Sequence, residues 1–221
     1  MTDATRPLRA SANTGRRVVD AAMVAFAHRG YEATSLDALA VELGVRKQTI
    51  LYHFSSKDAL LDAVIDEAGR SLVNTLEDAL ASPGPGLARV DSVVRSVFRL
   101  AARRPELLGL LREVSRLGPP PATRLRRRLE PFIDRATAFL EVEMASGSVR
   151  RQDARLLILA AYSTVIGVAT EVEVLRALGL EPTARSLVQR RRELLEFLHS
   201  ALASEGVAGG PEGVVGERRP A

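Results

Sequence analysis

Residues 30–60 read GYEATSLDALAVELGVRKQTILYHFSSKDAL, and this stretch decides the fold. Its apolar residues recur every three or four positions on both sides of Gly44: Leu36, Leu39, Ala40 and Leu43 before it, Ile50 and Phe54 after it. That spacing predicts two short amphipathic helices, and a glycine between them lets the backbone reverse sharply where a β-carbon would clash. Two short helices joined by a glycine turn form a helix-turn-helix.

Cap signals define the helices around this turn. We expect the first helix to have Thr14 as its N-cap and to end at Gly30, a natural C-cap. The second helix starts where Thr34-x-x-Asp37 resembles a capping box. The third helix runs from about residue 46 to residue 53, so three short helices form the N-terminal part of the chain.

The rest of the chain also reads as helices, because runs of alternating β-branched residues are absent. A long amphipathic helix follows Ser55–Ser56, and proline and glycine positions then separate five more helices, near Leu87–Ala102, Pro105–Leu117, Ala122–Ala145, Asp153–Leu178 and Thr183–Leu202. The predicted fold is all-α, with an N-terminal three-helix helix-turn-helix domain followed by a larger helical domain. We expect a flexible N-terminal arm over residues 1–13, the helix-turn-helix domain over 14–57, the larger domain over 58–203 and a disordered tail over 204–221.

The third helix combines an apolar side with a polar side. The apolar side holds the two helices together, and the outward side presents Arg46, Lys47, Gln48, Thr49 and Tyr52, which can reach base edges and phosphates. Residues 1–57 carry eight basic and five acidic residues, whereas the remainder carries 23 basic and 22 acidic ones. Most of the net charge of +4 therefore belongs to the predicted DNA-binding part, as binding to phosphate requires.

Composition excludes several classes of function. The 221 residues include no cysteine and three scattered histidines, so we expect no disulfide, no metal site and no catalytic thiol. No nucleophile elbow or dinucleotide fingerprint occurs, and we expect no enzyme activity, no catalytic residue and no cofactor. The N-terminus lacks a secretory signal. The longest uncharged stretch, Leu156–Thr170, is shorter than the roughly 20 residues of a membrane span. We therefore expect a cytoplasmic protein that does not contact a membrane.

A family resemblance covers about residues 14–64. Three segments carry it: Gly30-Tyr31-Glu32-Ala33-Thr34-Ser35-Leu36, then Ala40 with Leu43-Gly44-Val45, and then Thr49-Ile50-Leu51-Tyr52-His53-Phe54-Ser55-Ser56-Lys57-Asp58-Ala59-Leu60. They resemble the N-terminal DNA-binding domain of the TetR (tetracycline-repressor-like) family. The resemblance implies a homodimeric transcriptional regulator, usually a repressor, that binds a palindromic operator. It also implies that the larger domain dimerises and binds a small-molecule effector, which releases the DNA.

The resemblance also implies roles for individual residues. Thr34 and Ser35 would bind a phosphate at the N-terminus of the second helix, Lys47, Gln48 and Thr49 would face the groove, and Tyr52, His53 and Lys57 would hold the DNA backbone. Each has a structural alternative: Thr34 as a helix cap, Tyr52 and His53 as packing contacts to the first helix, and Lys57 as a solvated side chain.

Two positions depart from the family pattern. Leu51 stands where the family commonly has a tyrosine that donates to a phosphate, so that contact is lost or replaced by an apolar one to a thymine methyl. Arg46 stands where a small capping residue is more usual, so the cap of the third helix is in doubt. In exchange, Arg46 adds a cation near the groove.

The helix expected over Asp153–Leu178 is apolar nearly all round, which requires burial on every side. We expect one face on its own core and another on a second copy, with Thr183–Leu202 completing a four-helix dimer interface. The alternative is a central helix in a monomer. An effector pocket would lie among the middle helices, with candidate polar groups at Arg99, Glu113, Tyr162, Ser163 and Thr164. The alternative is that these five are ordinary core or surface residues whose polar groups already have hydrogen-bond partners.

The alternative function is a helical protein-interaction adaptor that does not bind DNA. It leaves the outward-facing residues 46–52 without a role.

Overall fold

The structure, a computed structural model, describes residues 5–84 and 86–203. Over these residues the chain forms ten α-helices and no strand. They are α1 Thr5–Arg29, α2 Leu36–Leu43, α3 Lys47–His53, α4 Lys57–Leu80, α5 Leu87–Arg103, α6 Pro105–Leu117, α7 Pro121–Ala145, α8 Ala154–Thr170, α9 Val172–Ala177 and α10 Ala184–Leu202. The expected tail at 204–221 and the first four residues of the expected arm lie outside the described residues.

The predicted helix-turn-helix is formed by α1, α2 and α3, closed by the first turns of α4. Its core is completely buried and takes at least one side chain from every one of these helices: Val18, Met23, Phe26, Leu39, Ile50 and Leu60. Gly44 ends α2 in the left-handed conformation, at φ 66°, and the next amide, that of Val45, donates to the Ala40 carbonyl at 2.9 Å. The glycine turn read from the sequence is therefore confirmed.

The first helix begins earlier than the sequence predicts. Thr14 lies inside α1, which starts at Thr5, so residues 5–13 of the expected arm are helical. Pro7 is the one strong helix breaker in this segment, and it stands in the first turn, where proline is tolerated. No further proline stands between Pro7 and Thr14, so the helix is continuous there and Thr14 is not its N-cap.

The caps of α2 and α3 also differ in part from the prediction. Ser35, not Thr34, is the N-cap of α2, and its Oγ accepts from the Ala38 amide at 3.1 Å. No side-chain cap is made by Arg46 at the start of α3, in line with its departure from the family pattern. By contrast, Ser56 caps α4 as the sequence indicates, accepting from the Ala59 amide at 3.0 Å.

The larger domain packs α4 to α8 and α10 around one continuous core. Helix α4 belongs to both parts of the molecule because it starts at Lys57 and runs to Leu80. The main junctions are α4 against α7 and α5, and α1 against α6. Where α6 meets α1, Gly109 lies so close to α1 that an added Cβ would be 3.1 Å from the Ala27 Cβ.

The helix expected over Asp153–Leu178 is interrupted. Glu171 leaves the helical conformation, at φ −82° and ψ 76°, and separates α8 from α9. Its carboxylate accepts from Arg112 of α6 at 2.6 Å. The prediction of one continuous helix was wrong, since the break at Glu171 leaves no mark in the local apolar periodicity.

The expected burial of α8 on all sides is not met within one chain. Val165 is buried against the core, whereas Leu156 is 64% exposed and Tyr162 is 47% exposed. Helix α10 packs beside α8 and shows the same division, with Leu198 buried and Phe197 60% exposed. We call the exposed residues Leu156 of α8 and Phe197 of α10 the outer apolar face.

In the part of the chain that the structure describes, no helix is both long and apolar enough to span a membrane.

Candidate functional site

Helix α3 has one buried side and one open side. Ile50 is completely buried beneath it, whereas Gln48, Leu51 and Tyr52 are exposed, Tyr52 to 81%. Arg46, directly before the helix, is exposed as well. Thr49 is half-buried, and its amide closes the first turn by donating to the Arg46 carbonyl at 2.9 Å. The outward-facing set read from the sequence is therefore assembled on one accessible surface, apart from the partly covered Thr49.

Lys47 is held at the edge of this surface by an ion pair. Its Nζ lies 2.8 Å from Oδ2 of Asp37 in α2, and both side chains are well exposed. Exposed pairs of this kind contribute only about 0–1 kcal/mol. A phosphate or a guanine edge could therefore take the ammonium at little cost, while the pair keeps the side chain extended toward the same surface.

The structure corrects the expectation for Thr34. Its side chain is only 1% exposed, and its hydroxyl donates to the Gly30 carbonyl at 2.8 Å, so it cannot reach a phosphate. Ser35 is exposed at the start of α2, although its Oγ already serves as the cap. At the start of α2, an anion could still bind the backbone N–H groups of the first turn, which have no partner inside the helix.

Lys57 lies at the start of α4, above the ring of Tyr31. Its Nζ is 4.2 Å from the ring centroid and donates to the Glu32 carbonyl at 3.3 Å. The Tyr31 hydroxyl donates to the Asp58 carboxylate. Burial, together with that hydrogen bond, raises the pKa of Tyr31 well above its ordinary value, so the hydroxyl stays a donor. These contacts fix the direction in which Lys57 points.

His53 lies against the first helix. It is half-buried, and a Cβ added to Gly15 of α1 would come 3.3 Å from its Nδ1. Its ring also meets that of Tyr52 edge-on, with centroids 5.2 Å apart. Packing against α1, the structural alternative for His53, is what the geometry shows, whereas Tyr52 contacts the edge of the His53 ring and is 81% exposed.

Glu113 joins the two parts of the molecule and does not face a pocket. Its Oε1 accepts from the Tyr31 amide at 2.6 Å, and both oxygens accept from Arg116 at 2.8 Å. The Arg116 hydrogen bond, opposed by burial and assisted by the Tyr31 amide, lowers the pKa of Glu113. Sequence reasoning missed this role, and it missed Tyr31 as the residue that contacts α4 and α6 at once. The only available signal was an aromatic residue directly after the helix-ending Gly30.

A cavity of about 540 Å³ lies inside the larger domain, between α4, α5, α6, α7, α8 and α10. Nearly all of its lining is apolar. The polar side chains among its lining residues are Ser115, Arg126, Arg155 and Tyr162.

Of the five sequence candidates for an effector site, only Tyr162 lines this cavity. The Arg99 guanidinium donates to Ser96 within α5 at 2.6 Å, and the Thr164 hydroxyl donates to the Ala160 carbonyl at 2.8 Å. Ser163 is exposed on the outer side of α8. These three and Glu113 are corrected as cavity residues. Arg99 and Thr164 are satisfied within their own helices, Ser163 is exposed to solvent, and Glu113 accepts from the Tyr31 amide.

Among the described residues, no group of histidine, aspartate and glutamate side chains has an arrangement that could hold a metal ion.

The helix-turn-helix matches a known family of bacterial proteins. Residues 18–64 match the family profile of bacterial regulatory proteins, tetR family. The chain is 35% identical over 78 residues to the HTH-type transcriptional activator FasR of Mycolicibacterium smegmatis, covering 35% of this chain and 36% of that protein. It is 33% identical over 46 residues to IcaR of Staphylococcus aureus, a negative transcriptional regulator of the biofilm operon icaADBC, covering 21% and 25%. The matches therefore span about a third and a quarter of these relatives.

Solved structures match over most of the chain. A TetR transcriptional regulator from Chloroflexus aurantiacus J-10-FL superposes with a TM-score of 0.71 at 22% identity, covering 89% of this chain and 99% of that one. The regulator FadR from Bacillus subtilis, in complex with stearoyl-CoA, superposes with a TM-score of 0.70 at 20% identity, covering 84% and 98%. At these identities the likeness concerns the fold, which is shared from the helix-turn-helix through the larger domain.

Proposed function

Because the chain belongs, through its residues 18–64, to the tetR family of bacterial regulatory proteins, we propose that it is a ligand-responsive transcriptional repressor. In this proposal it binds a palindromic operator as a homodimer and leaves the DNA when a small molecule occupies the larger domain. The observation that carries the proposal is the geometry of α3, which exposes Gln48 and Tyr52 while the completely buried Ile50 anchors the helix.

The exposed residues divide into two kinds of DNA contact. Gln48 and Lys47 have the side chains that read base edges, glutamine pairing with adenine and lysine with guanine. Ser35, Arg46, Tyr52 and Lys57 lie around α3 and would hold phosphates, which set the position of the protein on the duplex. Leu51, exposed beside Tyr52, offers an apolar contact for a thymine methyl.

The outer apolar face supports the homodimer. Large apolar side chains exposed together on two adjacent helices are uncommon on a monomer surface and typical of an interface. A second copy that packs on α8 and α10 would form a four-helix arrangement around a two-fold axis. Such a dimer would present two α3 helices to half-sites about 34 Å apart.

Whether the protein represses or activates transcription depends on where its operator lies. A dimer seated on a promoter excludes other proteins from it, and repression is therefore the outcome we propose. The relatives include one named as an activator and one named as a negative regulator. A reporter placed behind the selected operator tests the sign, since repression predicts higher expression when the protein is absent.

In vitro selection of duplexes from a random library is the test of DNA binding, using the full chain. We expect enrichment of a palindrome with half-sites one helical turn apart. The double variant Lys47→Ala, Gln48→Ala should lose the enriched sequence, and Arg127→Ala, an exposed arginine on α7, should retain it. Failure to enrich any sequence would overturn the proposal and favour the adaptor function.

A further inference from the structure

We propose that the cavity of the larger domain binds an aliphatic acyl chain that carries an anionic head group, with the chain at the buried end and the head beside Arg126 and Arg155. This inference rests on the proposed function, in which the cavity receives the effector, and it specifies the chemistry of that effector.

The buried end of the cavity is aliphatic. Leu72 and Leu76 of α4, Val94 and Val97 of α5 and Leu111 of α6 line it, and all five are buried. A ligand that placed hydroxyl or amide groups there would leave them without hydrogen-bond partners, which is costly. The aromatic lining residues Phe132, Phe139 and Tyr162 are all partly exposed. A flat aromatic ligand would therefore find rings to stack on only near solvent, so an aliphatic chain fits the buried end best.

The cavity opens between α7 and α8. Its exposed lining residues are Ser115 of α6, Arg126 of α7 and Arg155, Leu159 and Tyr162 of α8, so four of the five lie on α7 and α8. Most of the lining on α4 and α5 is buried or half-buried. A ligand with one apolar end and one polar end therefore has a single favourable orientation. Its polar end lies at the mouth, between the two helices.

The charges at the mouth favour an anion. Arg126 and Arg155 line the cavity, while their carboxylate neighbours Glu130 and Asp134 do not. The Arg126–Glu130 pair is long, at 3.9 Å, and the Arg155–Asp134 pair is 3.0 Å, with every partner more than half exposed. Such pairs are weak. The carboxylate or phosphate of a ligand could therefore replace Glu130 or Asp134 and accept two hydrogen bonds from the guanidinium of Arg126 or Arg155.

Volume limits the length of the chain. At about 30 Å³ for each water-sized group, the cavity of about 540 Å³ holds at most about 18 non-hydrogen atoms. Each methylene moved from water into the cavity should tighten binding about fourfold. Affinity should therefore rise steadily with chain length and then stop rising once the cavity is full.

Calorimetric titration of the full protein tests the ligand class directly, with octanoate, decanoate, dodecanoate, tetradecanoate, hexadecanoate and octadecanoate as probes. Octadecanoate, with about 20 non-hydrogen atoms, exceeds the capacity of the cavity. We expect the affinity to climb with length and then level off. Dodecanoate should bind about tenfold more tightly than dodecanol, the difference expected for one charge-assisted hydrogen bond. The inference would be overturned if dodecanol bound as tightly as dodecanoate, if dodecyltrimethylammonium bound more tightly than dodecanoate, or if the affinity of the carboxylates did not depend on chain length.

A further arm identifies the source of the anionic head. Dodecanoyl-coenzyme A and dodecanoate share the chain and differ in the head. Tighter binding of the thioester assigns the head to a phosphorylated carrier, and tighter binding of the acid assigns it to a free carboxylate. Either result supports the anionic amphiphile, whereas binding of neither overturns it.

Variants separate the mouth from the buried end. Arg126→Gln with Arg155→Gln should abolish the preference for dodecanoate over dodecanol, and Arg127→Gln, its exposed neighbour on α7, should keep it. Ala136→Leu, which fills the buried lining from α7, should lower the length at which affinity levels off by about three carbons, the number that it adds. If that variant fails to fold, the exposed arginine variants still decide the outcome.

These titrations contain no DNA, so the two proposals can fail separately. Absence of ligand binding by a chain that still selects a palindrome overturns this inference alone. Ligand binding by a chain that selects no DNA overturns the proposed function and leaves the ligand class standing.

Discussion

Lys57 has its direction set by the protein before any DNA is present. The Tyr31 ring lies beneath its ammonium and the Glu32 carbonyl accepts from it. These contacts reduce the freedom that a lysine would otherwise lose on binding, which favours a role as a fixed cation at a phosphate.

We predict that Lys57→Ala weakens binding to every DNA sequence alike and lowers the slope of log affinity against log salt by about one, the value of one phosphate contact. Fluorescence anisotropy at several salt concentrations measures both quantities. Arg127→Ala, which removes an exposed charge on α7, outside the helix-turn-helix, should leave the slope unaltered. If Lys57→Ala leaves the slope unaltered too, Lys57 does not contact phosphate.

Gln48 should behave differently, because it is exposed on α3 and its amide can read a base edge. We predict that Gln48→Ala relaxes sequence preference at one position of each half-site, at a cost of about 1–3 kcal/mol for the preferred base. Selection repeated with the variant measures the change. The same selected site for Gln48→Ala and the unaltered chain would remove Gln48 from base recognition.

The exposed residues of α3 could be predicted from the sequence, whereas the contacts that support them could not. Apolar spacing identifies the buried Ile50 and hence the opposite, outward side. Nothing local indicates that Thr34 turns its hydroxyl inward, or that Tyr31 meets Glu113, which lies 82 positions along the chain. Pairings over such distances depend on how helices are arranged, and that arrangement is a property of the whole core.

At the scale of elements, helix ends were easier to predict than helix partners. Proline and glycine positions correctly indicated α6 and, within one residue, the start of α7 and of α10, because those residues act on the local backbone. The ion-pair partners of the α7 arginines could not be predicted from local positions of this kind. Arg124 and Arg128 contact Asp62 and Asp66 of α4 at 2.8 and 2.9 Å, a whole helix hairpin away in sequence.

Helix α6 is joined to the α1–α2 loop by the Glu113 carboxylate, which gives this junction a dependence on pH. The folded-state pKa of Glu113 lies below its ordinary value of 4.5. The carboxylate therefore stabilises the fold above the unfolded pKa, and that contribution is lost as pH falls through the lower folded pKa.

We predict that Glu113→Gln lowers the free energy of unfolding by about 1–2 kcal/mol at neutral pH, since charge-assisted hydrogen bonds to Arg116 and the Tyr31 amide are weakened. The deficit relative to the unaltered chain should shrink below pH 4.5. Urea unfolding at several pH values measures it. Glu173→Gln, on the exposed surface of α9, serves as the control and should change little. A deficit independent of pH would contradict the assignment to the carboxylate.

At the scale of the whole molecule, the outer apolar face is the surface on which we propose that a second copy packs. We predict that the double variant Leu156→Glu, Phe197→Glu sediments as a monomer, because a second copy would have to bury four unpaired carboxylates. Val142→Glu changes an equally exposed apolar residue on α7 and should leave sedimentation unaltered. A double variant that sediments as a dimer would assign the interface to another surface.

The contact between Gly109 and Ala27 has a consequence for how variation in this chain would be detected. Alanine at position 109 gains up to about 1 kcal/mol of helix propensity, and the crowding against Ala27 acts in the opposite direction. The two effects act against each other in the melting temperature, whereas the crowding alone acts on the spacing of α1 and α6. A library screened for thermal tolerance would therefore underestimate the effect of this substitution, and a screen for response to the proposed effector would detect it.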